Sequence, residues 1–201
     1  MSYELTLDEC PAVAAIFHDG RSDIDAKLAT FAEQQRRAGR RVLGLVMTHR
    51  DRGEGCQAAM VLTDIDTGDE YLVSQDLGCE STSCRADPQG FAKASRVLRD
   101  ALGRQPHLVI CNRFGALEAE NGGFVAELLA LLERGLPVLT VVAPRYFDAW
   151  QRFIGEAPLL PVDAEAWVAW FDAVLLQRTR SAEELPRCCV GVNSWSQALH
   201  H

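Results

Sequence analysis

Residues Ala12–Gly39 read AVAAIFHDGRSDIDAKLATFAEQQRRAG, and the pattern of this stretch decides the fold. A short apolar run, Ala12–Phe17, is followed by the polar turn His18-Asp19-Gly20-Arg21-Ser22-Asp23. Apolar residues then recur at Ile24, Leu28 and Phe31, the spacing of one helical face. The reading is strand, turn, helix. Ser22 with Asp25 three residues on predicts a capping box. Gly39, after the basic pair Arg36-Arg37, predicts a left-handed close to the helix. The backbone N–H groups and dipole at the start of such a helix favour an anion.

Working outward, Val42–Met47 is near-continuously apolar and reads as a strand covered on both faces. THRDRGEGCQ, residues 48–57, reads as a loop. Ala58–Ile65 and Glu70–Val73 form a hairpin around Asp66-Thr67-Gly68-Asp69. Pro88, with Asp87 as N-cap, opens a helix to about Leu102 carrying Phe91, Ser95, Leu98 and Leu102 on one face. Leu108–Cys111 and Pro137–Val142 are further buried strands, with a helix over Phe124–Glu133 between them. Asp163 caps a last helix whose stripe of Trp167, Trp170, Phe171, Val174 and Leu175 reads as core. The pattern predicts a single α/β domain over residues 1–180, a three-layer, mainly parallel sheet with helices on both faces and a β-hairpin insertion. Residues 181–201 read as an extended tail.

Composition narrows the function. A hydrophobic fraction of 48% is ample for a core. The net charge of −8 and pI of about 5.1 argue against nucleic acid but leave a local anion site open. Residues 1–11 lack the basic start and apolar run of a signal peptide, and no stretch approaches a membrane span, so a cytoplasmic protein without membrane insertion is expected. Seven cysteines, an odd number with no C-x-x-C pair, read as reduced thiols rather than a disulfide framework. Cys188-Cys189 and His200-His201 match no common zinc spacing, and no metal site is expected.

Two further segments carry polar chemistry. QDLGCESTSCRAD, residues 75–87, sets Ser81, Thr82, Ser83, Cys84 and Arg85 just before a helix. Hydroxyls and a guanidinium at a helix start suit an oxyanion; the alternative is that they only cap the helix. Cys84 beside Arg85 reads either as a reactive thiol or as a small loop residue. Asn112 and Arg113 follow the third strand, and ligands of such sheets sit beyond the carboxyl ends of the strands.

FHDG at residues 17–20, DLGCESTSCRAD at 76–87 and NRFGALEAENGGF at 112–124 together resemble a bacterial domain of unknown function encoded beside molybdate ABC-transporter genes. The third segment is also similar to the Walker-B region of small P-loop nucleoside triphosphatases, with Asn112-Arg113 where those enzymes have an acidic pair, and with Phe114-Gly115 and Glu118 retained. The first turn lacks G-x-x-x-x-G-K-[ST]: it has one Gly, two acids, and Lys27 a turn too late. The resemblance implies a P-loop-like fold with degenerate Walker motifs. It implies a binding or regulatory module for molybdate, tungstate or a phosphorylated ligand, lined by Asp19, Gly20, Arg21, Ser22, Ser81, Thr82, Ser83, Cys84, Arg85, Asn112 and Arg113, with no cofactor. The alternative is a divergent triphosphatase using magnesium with nucleotide, Glu118 orienting water and Arg21 facing the phosphates. A homo-oligomer or a protein partner is compatible with either.

Overall fold

The computed structural model describes residues 11–18, 20–53, 58–75 and 86–184. Seven strands form one sheet: β1 (Val13–Phe17), β2 (Val42–Arg50), β3 (Ala59–Asp64), β4 (Glu70–Leu72), β5 (Leu108–Phe114), β6 (Val138–Val142) and β7 (Leu159–Leu160), in the order β4-β3-β2-β5-β6-β1-β7. β2, β5, β6, β1 and β7 are parallel, and the β3–β4 hairpin adds antiparallel to β2.

The helices divide between the two faces. α1 (Ile24–Arg37) and α6 (Ala164–Glu184) bury Ile24, Leu28, Phe31, Trp167, Trp170 and Phe171 against one side of the sheet. α2 (Pro88–Ala101), α4 (Val125–Glu133) and α5 (Phe147–Ile154) cover the other with Ala94, Leu98, Leu128, Leu131 and Trp150. The aromatic stripe of α6 is therefore core. Phe31 meets Trp167 edge-on at 5.7 Å, and each such side chain contributes roughly 1.5–3 kcal/mol by burial. The indole N–H of Trp167 donates to Pro161 O at 2.7 Å, satisfying its polar end.

Several expected boundaries move, each for a tertiary reason. α1 is capped by Asp23, whose Oδ1 accepts from Ala26 N at 3.1 Å, and not by Ser22; Asp25 has another partner. β2 continues through Thr48, His49 and Arg50, read as loop, because β3 supplies a ladder as far as Arg50↔Ala59. β5 likewise runs on through Asn112 and Arg113 to Phe114. A four-residue helix, α3 (Ala116–Ala119), precedes α4. β7, two residues beside β1, is too short to carry a sequence pattern. α6 extends through Ser181 to Glu184, into the stretch read as tail. Among the described residues no helix is long and apolar enough to cross a membrane.

Candidate functional site

β1 and β6 are neighbours, yet the chain leaves them toward opposite faces, into α1 and into α5. A crevice at the carboxyl ends of two such strands is where open α/β sheets place ligands. The β1–α1 turn lies there. His18 N donates to Val142 O at 3.0 Å, tying the turn to the end of β6. The His18 ring is buried and its Nε2 donates to Ser22 O at 2.9 Å, closing the turn on itself. Gly20 takes φ +85°, and a Cβ there would meet nothing within 4 Å, so the backbone faces open space. Arg21 is exposed and Ser22 half-buried. Asp19 lies outside the described residues. At this helix end Asp23 already takes one backbone N–H, so the amides are partly spoken for.

Arg113 reaches the same edge by a break in alternation. Leu108 and Ile110 face the α1 layer, while Val109 and Cys111 face the α2–α4 layer. Strict alternation would send Arg113 to the latter. The register between β5 and β6 shifts between Cys111 and Phe114, so Phe114 packs with the α2–α4 layer and Arg113 turns to α1. Its Nη2 donates to Asp25 Oδ1 at 2.8 Å and to Oδ2 at 2.9 Å. The Asp25 side chain is 11% exposed and that of Arg113 36%, so the pair is sunk at the carboxylate and open at the cation. His49 Nδ1, at the end of β2, is 4.0 Å from Asp25 Oδ2.

Asn112 is 1% exposed, and its Oδ1 accepts from Met47 N at 3.1 Å. The β2–β5 ladder ends at Leu45↔Cys111, and this side chain supplies the acceptor the backbone no longer does. Its Nδ2 has no partner among the described residues. Glu118 is buried at the start of the β5–α4 connection, with Oε2 accepting from Gly115 N and Oε1 from Phe124 N, each at 3.0 Å. Burial raises its pKa above the ordinary carboxylate value, opposed in part by the Phe124 and Gly115 amides. A cavity of about 340 Å³ lies nearby, lined by Phe114, Glu118, Asn121, Leu129, Arg152 and Phe153. It opens on the α4–α5 face and Arg113 does not line it.

Ser81, Thr82, Ser83, Cys84 and Arg85 lie outside the described residues. Their anchors are described: Ser74 bridges Ala86, and Asp87 N donates to Val73 O at 2.9 Å. These follow β4, five strand positions from β1, or roughly 24 Å at about 4.8 Å per strand. Arg113 on β5 is two positions from β1. The sequence reading missed Asp25 and His49 at this edge; Asp25 was absorbed into a capping pattern, and His49 lay in what read as a loop. Cys111, the described free cysteine, is fully buried; burial pushes its thiol well above the ordinary range, with Glu118 and Glu127 adding to this, which suits a core residue.

The mainly parallel sheet covered by helices on both faces is a fold shared with a solved protein of another sequence. The solution structure of a human cancer-related nucleoside triphosphatase superposes with a TM-score of 0.58 at 15% identity, covering 83% of this chain and 99% of that one. The chain belongs to the family of proteins of unknown function DUF2478, whose pattern matches residues 13–170. The molybdenum import ATP-binding protein ModC 2 of Bradyrhizobium diazoefficiens is 38% identical over 143 residues, which is 71% of this chain. The match spans only 16% of that relative's length. The resemblance read from FHDG, DLGCESTSCRAD and NRFGALEAENGGF is thereby borne out.

Proposed function

We propose that this chain is a binding or regulatory module of molybdenum metabolism that uses a P-loop-like frame, with a degenerate Walker A turn, to hold an oxyanion. The ligand is molybdate, tungstate or a phosphorylated compound. The observation that carries this reading is Arg113: a register break in a central strand turns a guanidinium toward α1 at the carboxyl edge, 88 residues along the chain from Asp25. A planar cation with five N–H donors suits a tetrahedral oxyanion. The backbone at Gly20, the Arg21 and Ser22 side chains and Asp19 complete the β1 side. Asn112 Nδ2 is a spare buried donor beside Arg113 in β5. Ser81, Thr82, Ser83, Cys84 and Arg85, in the segment between β4 and α2, are the further hydroxyl, thiol and guanidinium donors assigned to the ligand. The site is cytoplasmic and uses no cofactor, and a second copy or another protein reads the bound state.

Magnesium with nucleotide is the alternative, favoured by the words "ATP-binding" in the name of the Bradyrhizobium relative. The described residues do not fit that metal. Asn112 brings no charge and spends its oxygen on Met47, Asp25 is committed to Arg113, and Glu118 is committed to two amides. No group of three or more His, Cys, Asp or Glu that could hold a metal ion exists among the described residues. Water orientation by Glu118 would require breaking the loop it holds.

Calorimetry with molybdate, tungstate, phosphate and sulfate, and with ATP and GTP with or without magnesium, tests the reading. Molybdate or tungstate is expected to bind and sulfate not. Arg113→Ala is expected to weaken binding about 10- to 100-fold, the worth of a charge-assisted hydrogen bond of roughly 1.5–3 kcal/mol, and Arg85→Ala to abolish it. Binding of nucleotide alone, with magnesium-dependent phosphate release lost in Glu118→Gln, would replace this proposal with the triphosphatase.

A further inference from the structure

The cation proposed to receive the ligand already holds an anion of the protein's own. Asp25 projects from the first turn of α1, where helix geometry favours negative charge, and Arg113 Nη2 spans both of its oxygens. Only one nitrogen of the guanidinium is used in this way. The side chain is 36% exposed, so the guanidinium keeps N–H donors open to solvent for an oxyanion. A ligand seated there lies within a few ångströms of a sunk carboxylate.

We infer that Asp25 is the specificity-determining residue of the anion site: it holds Arg113 in place while its charge penalises each additional negative charge on the ligand. This rests on the anion-binding reading above. Two effects of Asp25 oppose each other, and magnitude separates them. Holding one long side chain in position is worth roughly tenfold in affinity at most. A unit charge about 5 Å away, at an effective dielectric near 20, is worth tenfold or more per ligand charge. The charge effect therefore wins, and it grows with the ligand. A compact dianion such as molybdate is tolerated, whereas a metal-free polyphosphate is rejected. Asp25→Asn separates the two effects, because its amide oxygen can still accept from Nη2 while the charge is gone.

The experiment measures affinities of orthophosphate, molybdate, pyrophosphate and tripolyphosphate, with chelator present, for the wild-type protein, Asp25→Asn, Asp25→Ala and Arg113→Ala. Melting curves confirm that each variant is folded. Asp25→Asn is expected to bind all four more tightly, about a hundredfold or more for molybdate and progressively more for pyrophosphate and tripolyphosphate. The slope of log affinity against ligand charge is a readout that a purely structural role would not move. Uniform weakening in both Asp25 variants, with Arg113→Ala also weakened, would make Asp25 a positioning residue only; it would overturn this inference and leave the oxyanion site standing. An Arg113→Ala variant that binds like wild type would place the anion elsewhere and overturn both, as would the absence of binding in every variant.

Discussion

Two connections leave the carboxyl edge of the sheet, and each contains a buried acid treated differently. Asp25, after β1, is balanced by a side chain that arrives from β5 and stays partly open to solvent. Glu118, after β5, is balanced by two backbone amides, those of Gly115 and Phe124, within its own loop. A partly open side-chain cation can take a ligand beside its partner at modest cost. Backbone amides cannot move without the loop. The first arrangement suits a site and the second suits a scaffold, although the residue pattern alone nominates Glu118 as the chemical group.

The widest separation between the two should appear in stability. Glu118→Ala leaves two amides without acceptors, a loss of roughly 2–4 kcal/mol, against about 1 kcal/mol for Asp25→Asn, whose pair is half open. At about 2–4 °C per kcal/mol, calorimetric melting should fall by roughly 4–16 °C in the first variant and by a few degrees in the second. Equal losses would erase the distinction between site and scaffold.

A smaller contrast lies in the glycines of the two connections. A Cβ on Gly123, at φ +57°, would come 2.0 Å from Glu118 Oε1, whereas one on Gly20 would meet nothing within 4 Å. Gly123→Ala therefore adds displacement of a fixed carboxylate to backbone strain, roughly 2–3 kcal/mol. Gly20→Ala adds strain alone, about 1 kcal/mol. Urea melts of the two variants rank them, and a reversed order would mean that the Glu118 loop yields easily.

The smallest effect is in pH. Burial raises the Glu118 pKa in the folded protein, so between its unfolded and folded values the native state binds more protons. Its contribution to stability is fully present below the unfolded pKa and is lost as pH rises through the folded one. The stability gap between the wild-type protein and Glu118→Ala should therefore widen as pH falls from neutral into the carboxylate range, read from denaturant midpoints. A constant gap would mean that the amides fully offset the burial.

Much of the frame is legible in the residue pattern alone. β1, α1, the hairpin, the Pro88 helix with its Asp87 cap and the α6 stripe each follow from local patterns of period two or 3.6, and the structure has them all. What was illegible clusters at the carboxyl edge. Ser22 and Asp25 satisfy a capping pattern, yet Asp23 caps the helix because Asp25 has a cation to meet. Asn112 and Arg113 look like loop residues after an apolar strand, yet both lie inside β5. One replaces a missing ladder acceptor, and the other is turned by a register shift.

By itself the sequence determined the order of elements, the sheet's double cover and the family, because burial period and turn chemistry act over a few residues at a time. Tertiary structure alone decided which acid faces a cation and which faces amides. That choice depends on the phase of β5 against β6 and on contacts between residues as far apart as Asp25 and Arg113. A single-residue slip in such a register sends a side chain to the opposite face, and no local pattern records it.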